Sequence, residues 1–154
     1  MIGARIALPN GTVLATVSDA MIDPVQWIVL AFGVQPDSHG APERVVPWEA
    51  AQAWRPPLLI VLDDSDMVAL QQLPGVAHRA ARRLHWGCPV RRAVDGRWLG
   101  TLEAAQFDWH TGRVHALSLR PPSHRTESLM LPAPAKRSPA GPWTDGPTHR
   151  NGAR

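Results

Sequence analysis

Two aspartates and two histidines recur at one fixed spacing in this chain. Asp23 and Asp108 are 85 residues apart, and so are His39 and His124. Paired carboxylates can serve as catalytic acid and nucleophile, and paired histidines can bind a metal ion. Each aspartate, however, stands directly before a short polar reversal, where its carboxylate can accept hydrogen bonds from the next backbone amides. We therefore predict structural turns at Asp23 and Asp108.

The other reactive side chains lack the partners that their chemistry requires. A metal ion would need further ligands besides His39 and His124, the other histidines show no ligand spacing, and Cys88 has no second thiol. Ser38 adjoins His39 without an orienting acid at a defined place, and no glycine-rich phosphate loop precedes a helix. We predict a protein that is not an enzyme and uses no cofactor or metal. A small-molecule or metal sensor built on the two histidine loops is kept as an alternative.

The 85-residue spacing belongs to an internal duplication. Residues 10–47 superpose on residues 95–132 without a gap, and 11 of these 38 positions are identical. Two copies of one structural unit are therefore expected.

Each copy has the pattern of short strands joined by turns. Asn10-Gly11 and Asp95-Gly96 are residue pairs that favour a type I′ hairpin turn, and apolar residues alternate after both. Both copies end in an apolar strand with a proline, RVVPW in the first and LMLPA in the second. These patterns predict an all-β protein.

Only the first copy continues beyond this proline with a further apolar strand, LLIVL at residues 58–62. One or two helical turns capped by Asp63 or Ser65 are predicted next, ending at Pro74. A short helical linker is expected between Gly75 and Gly87. The predicted organisation is a first copy at 1–74, a linker at 75–86, a truncated second copy at 87–132 and a disordered tail rich in proline and glycine at 133–154.

Charge is distributed unevenly between the halves of the chain. Residues 1–74 carry three arginines against eight acids, a balance of −5, and residues 75–154 carry thirteen basic residues against five acids, a balance of +8. The basic half could contact RNA or an acidic protein, and RNA is the less favoured of the two. No run of about 18 apolar residues indicates a membrane span, and no secretory signal is visible, so a cytoplasmic location is expected.

Tryptophan is unusually frequent, with seven residues against two phenylalanines and no tyrosine. Two small β units can bury only some of these rings, and tryptophan and arginine are the residues that dominate protein interfaces. Our candidate interaction surface is Trp98 and Trp109 beside Arg97 and Arg113.

The order of these elements resembles the PRC-barrel family, named for a domain of the photosynthetic reaction centre H subunit. The residues that carry the resemblance are DGRWLGTLEAAQFDWHTGRVHALSLR followed by LMLP, and NGTVLATVSDAMIDPVQWIVLAFGV followed by RVVPW, LLIVL and LQQLP. Copy one has Ala15 where the family usually has a glycine and copy two has Gly100.

The resemblance implies two small β-barrels in tandem, of which the second is truncated. It also implies a bacterial protein that acts as an adaptor. Some members stand alone, and one forms the barrel of a ribosome maturation factor that contacts a ribosomal protein. We therefore expect a module that binds another protein or assembles with itself as a homo-oligomer. The alternative within this resemblance is an RNA- or ribosome-assembly factor that uses the basic second copy. The missing closing strand of copy two would leave a sheet edge open to a partner.

Overall fold

The strands of the protein form two separate sheets, as expected for an all-β chain. The computed structural model describes residues 1–92, 94–121 and 128–133, so His124 and most of the predicted tail lie outside the described residues. The chain forms two compact units: residues 1–22 with 29–83 make unit 1, and residues 23–28 with those from 84 onward make unit 2.

Unit 1 contains a seven-stranded sheet in the order β5-β6-β1-β2-β3-β4-β7. Strand β6 lies parallel to β1, whereas β7 pairs antiparallel with β4. The most deeply buried side chains of this unit include Ile6, Phe32, Val45, Leu59 and Val61. The strands are β1 (Arg5–Ala7), β2 (Val13–Asp23), β3 (Ile28–Val34), β4 (Arg44–Pro47), β5 (Ala53–Arg55), β6 (Leu58–Ile60) and β7 (Val68–Ala69).

Unit 2 contains a four-stranded sheet in the order β11-β10-β9-β8. Its core is formed by Val90, Leu102, Leu117, Leu119 and Leu131. The strands are β8 (Pro89–Arg91), β9 (Trp98–Phe107), β10 (Val114–Arg120) and β11 (Leu129–Pro132).

The strands of unit 2 repeat β1 to β4 of unit 1. A shift of 85 residues carries β4 onto the full length of β11, and it carries β2 and β3 onto β9 and β10 to within one residue at each end. The duplication seen in the sequence is therefore a duplication of four strands. Strands β5, β6 and β7 have no counterpart among the described residues of unit 2.

The helices are short, and the first is a 3-10 helix at Trp48–Ala50 between β4 and β5. The predicted turns before Pro74 are 3-10 helices at Asp64–Asp66 and Leu70–Gln72, and the carboxylate of Asp63 caps the first by accepting from the Ser65 N–H (2.8 Å). These turns end at Gln72, ahead of Pro74, and the short helix predicted between Gly75 and Gly87 is α1 (Pro74–Ala80), which begins at Pro74 itself. Proline suits the first position of a helix, where its missing N–H would have had no intrahelical partner. Within the described residues, no helix is long and apolar enough to cross a membrane.

The hairpin turns differ from the predicted type I′. Gly11 and Gly96 both have positive φ, 89° and 68°, but Asn10 and Asp95 do not. In the first hairpin the Gly11 N–H donates to the Leu8 carbonyl and the Leu8 N–H to the Thr12 carbonyl, both at 2.9 Å. This is a three-residue loop, in which only the last position needs a left-handed residue.

Gly100 occupies a position in β9 that a larger residue could not adopt without strain. Its φ is +151°, and a Cβ added there would overlap the carbonyl oxygen of Arg120 and lie 3.2 Å from the Leu119 Cβ. The corresponding Ala15 in β2 is not subject to this constraint, because it is accommodated with its side chain half-buried. The glycine of copy two is therefore required by local packing.

We predict that Gly100→Ala destabilises the protein by about 3 kcal/mol, because it combines an unfavourable φ with a backbone clash. The matched variant is Ala15→Gly, which should cost only about 0.5–1 kcal/mol through the entropy of a glycine in a strand. Urea unfolding followed by circular dichroism measures both. Equal effects of the two substitutions would contradict the constraint at Gly100.

Candidate functional site

Both repeated aspartates organise a chain reversal. The Asp23 carboxylate accepts from the N–H groups of Val25 (2.8 Å) and Gln26 (3.0 Å). The Asp108 carboxylate does the same with His110 (2.7 Å) and Thr111 (2.9 Å). The pKa of Asp108 is lowered by the hydrogen bonds from Thr111 and His110. Both carboxylates therefore hold turns, as the sequence predicts.

The two reversals lie against each other in unit 2. Ile28 forms an antiparallel bridge with Arg113, its own counterpart under the 85-residue shift, and the Val114 N–H donates to the Trp27 carbonyl (2.8 Å). Unit 2 is thus completed by residues 23–28, a segment of the first sequence copy.

Trp27 adopts an unusual backbone conformation at this contact. Its φ is +56°, and it is the one non-glycine residue with positive φ in the described part of the chain. The counterpart of Trp27 is Gly112, with φ +70°, so both copies need a left-handed residue after the aspartate. A bulky residue there costs about 1–2 kcal/mol. Burial of the Trp27 side chain, which is 7% exposed, offsets that cost.

Only the first of the two histidine loops lies within the described residues. Ser38 and His39 are exposed, and Ser123 and His124 lie outside the part that the structure describes. No cluster of three or more His, Cys, Asp or Glu side chains suited to a metal ion occurs among the described residues. Cys88 is buried.

The four residues of the candidate interaction surface fall into two separate groups. Arg97 and Trp98 stand at the start of β9, whereas Trp109 and Arg113 follow its end. A ten-residue strand separates the groups by roughly 30 Å. Trp98 is 42% exposed and its indole N–H donates to the Gly100 carbonyl (2.8 Å), whereas Trp109 packs against Phe107 with ring centroids 6.3 Å apart. The structure therefore does not bring the four residues together as one surface.

The hairpin that precedes Trp98 is held by an ion pair. The Arg92 guanidinium donates to both carboxylate oxygens of Asp95, and the Arg97 N–H donates to the same carboxylate (3.0 Å). The hydrogen bond from Arg92, followed by that from Arg97, lowers the pKa of Asp95 from 3.8 to about 2. Asp95 therefore performs the same turn-forming role as Asn10, whose side chain accepts from the Thr12 N–H (2.9 Å).

The outer edge of β11 is the feature that distinguishes unit 2 most clearly. β11 is the last strand of its sheet, and no other described strand pairs with its outer edge. Leu129 and Met130 on this strand are 41% and 46% exposed. In unit 1 the corresponding strand β4 is covered by β7, and Val45, the counterpart of Met130, is fully buried. We take the β11 edge as the candidate functional site.

Sequence reasoning anticipated an open edge in copy two because LLIVL has no counterpart there. In unit 1 this segment is β6, which pairs with β1, so the anticipated edge is that of β8 and not that of β11. A signal was present in the comparison of the copies, because Arg44 of β4 is replaced by Leu129 in β11. Arg44 donates through Nη2 to the Met67 carbonyl (3.1 Å) and lies 3.9 Å from the Asp64 carboxylate, so it holds the segment that leads into β7. Leu129 cannot make either contact.

Ser128 and Arg120 border the β11 edge without leaving a net charge there. The Glu103 carboxylate accepts from the Arg120 Nε (2.6 Å) and from the Ser128 hydroxyl (3.0 Å). The hydrogen bonds from Ser128 and Arg120 lower the pKa of Glu103. The start of β11 is thereby anchored to β9.

Comparison of the chain with protein-family models and with curated proteins gives no match.

We predict that Asp23→Ala lowers the free energy of unfolding by about 1–2 kcal/mol, because two backbone N–H groups lose their acceptor. Asp23→Asn should be close to wild type, since its side-chain carbonyl can accept the same bonds. Thermal unfolding monitored by circular dichroism distinguishes the two variants. Equal destabilisation by both would mean that the charge of Asp23, rather than its turn geometry, is what matters.

We further predict that the Asp95 carboxyl titrates near pH 2, as measured by the pH dependence of its side-chain carbon shift in NMR spectra. The folded-state pKa is below the ordinary 3.8, so the stabilising ion pair is complete above pH 4 and is lost as the pH falls towards 2. Arg92→Ala should move the titration midpoint back towards 3.8. A midpoint that is unchanged by Arg92→Ala would contradict the assigned cause.

Proposed function

We propose that this chain is a PRC-barrel-like, non-enzymatic adaptor that binds protein by accepting a strand at the β11 edge. The observation that carries the proposal is the contrast between β4, whose outer edge is occupied by β7, and β11, whose equivalent edge has no strand beside it in the described residues. The order of strands, repeated in both units, supports the family resemblance.

An open sheet edge is suited to this function because it presents a row of directional backbone donors and acceptors. An added strand satisfies these groups, while its side chains supply specificity. The exposed side chains of Leu129 and Met130 favour an apolar segment. With Leu129 in place of Arg44, the edge has no cation to select an acidic side chain.

Three of the described arginines of unit 2 give less support to RNA binding than to strand addition. Arg92 is paired with Asp95, Arg120 with Glu103, and Arg91 donates to the Gly96 carbonyl (3.2 Å). Guanidinium groups engaged in this way are less available to phosphates. The exposed apolar side chains of β11 are also a clear difference from unit 1, where the corresponding strand β4 is covered by β7.

A labelled peptide with the sequence of residues 67–72, which contains the strand that covers β4 and has no charged side chain, tests the proposal in fluorescence anisotropy. We expect binding to the full chain that weakens at least tenfold in Met130→Pro, because proline removes a backbone donor. Met130→Leu is the matched control and should bind as wild type does. Binding should change little between low and moderate salt, since no counterions are released.

Peptide binding that is insensitive to Met130→Pro would place the interaction elsewhere and overturn the proposal. So would the absence of peptide binding together with tight, strongly salt-dependent binding of a labelled RNA oligonucleotide. That second result would favour the RNA-assembly alternative.

A further inference from the structure

We infer that the β11 edge takes β11 of a second copy of this chain, antiparallel about a two-fold axis at Met130. The two four-stranded sheets would then continue into one sheet of eight strands. This inference rests on the proposed function, because it names the strand that the edge accepts.

The hydrogen-bonding register of β11 defines which backbone groups face outward. The Ala133 N–H donates to the His115 carbonyl (2.7 Å), and β11 pairs Leu131 with Leu117. Since antiparallel strands direct alternate residues to opposite neighbours, Leu129 and Leu131 bond towards β10. The N–H and C=O of Ser128 and Met130 then point to the outer edge.

Two copies can satisfy these outward groups reciprocally. With Met130 opposite the partner's Met130, each N–H donates to the other's carbonyl. The N–H of Ser128 in each copy reaches the carbonyl of the partner's Pro132. This arrangement uses four hydrogen bonds, and the missing N–H of proline falls at the ends of the paired segment, where β-sheets tolerate it.

The side chains are complementary in the same register. Leu129 would lie opposite the partner's Leu131 on the core side of the sheet, and Met130 opposite the partner's Met130 on the other side. Leu129 and Met130, which are exposed in the single chain, would both be covered. Arg120 brings no unpaired charge to this edge, because Glu103 neutralises it. An uncharged, apolar edge matches a copy of itself.

Other segments of the chain are less suited to the position. Residues 134–154 contain four prolines, at 134, 139, 142 and 147, which cannot donate to a strand pair. The segment 63–70 already covers β4, where Arg44 holds it through the Met67 carbonyl. A short four-residue strand buries little area, so the dimer should be weak and dependent on concentration.

Sedimentation velocity of the full chain over roughly 1–500 µM measures this equilibrium. We expect reversible dimerisation in the wild type and in Met130→Leu, and at least a tenfold weaker association in Met130→Pro. Circular dichroism spectra of the three proteins establish that each is folded. A wild type that stays monomeric throughout, or dimers unaffected by Met130→Pro, would overturn the inference.

Disulfide trapping provides a second measurement that does not depend on proline. Residues facing each other in a hydrogen-bonded antiparallel pair have Cα atoms about 5.5 Å apart, within the range that a disulfide spans. Met130→Cys should therefore form a covalent dimer under diamide. Leu62→Cys is the control, because Leu62 is 62% exposed and belongs to unit 1, whereas β11 belongs to unit 2. Both variants retain the buried Cys88. Equally efficient trapping at both positions would overturn the two-fold pairing.

The two proposals fail in different ways. A monomeric wild type that still binds the 67–72 peptide, with Met130→Pro weakening that binding, would exclude self-pairing and leave strand addition standing. If the wild type neither binds the peptide nor associates with itself, the proposed adaptor function is wrong.

Discussion

The requirement that strand edges find hydrogen-bonding partners is the constraint on which the organisation of this protein depends. The four strands shared by the two units have two outer edges, one on β1 or β8 and the other on β4 or β11. Unit 1 covers both, with β6 beside β1 and β7 beside β4. The segment that supplies β6 and β7 follows only the first copy, so the same four strands have different surroundings in the two units.

The chain reversals after Asp23 and Asp108 have the same backbone conformation although their sequences differ. Asp23 and Asp108 each collect two amide hydrogen bonds, and the residue four positions later is left-handed in both copies. Glycine meets this requirement in the second copy without strain, whereas Trp27 meets it in the first through burial. The hydrogen bonds of the turn therefore govern the path, and the side chain at the left-handed position adapts to it.

The ionisable groups of unit 2 act as structural elements. The lowered pKa values of Asp95, Glu103 and Asp108 all arise from hydrogen bonds within turns or ion pairs. A carboxylate held ionised in this way is a poor proton donor near neutral pH. The feature of unit 2 that differs from unit 1 is instead the outer edge of β11, which no described strand covers, with the exposed apolar side chains of Leu129 and Met130 along it.

The amino-acid sequence alone was sufficient for features that depend on residues close together in the chain or on the comparison of its two halves. The duplication, the alternating strands and the turns at Asp23 and Asp108 belong to this group, because the hydrogen bonds of such turns reach only two or three residues ahead. The hairpin type at Gly11 was not predicted correctly, because an Asn-Gly pair also fits a three-residue loop whose last position is glycine. The left-handed Trp27 and the exposure of Leu129 and Met130 required the tertiary structure. Both features depend on which segments, distant in the sequence, lie beside these residues in the fold. Contacts between distant segments are decided by long-range packing, which no local sequence pattern specifies.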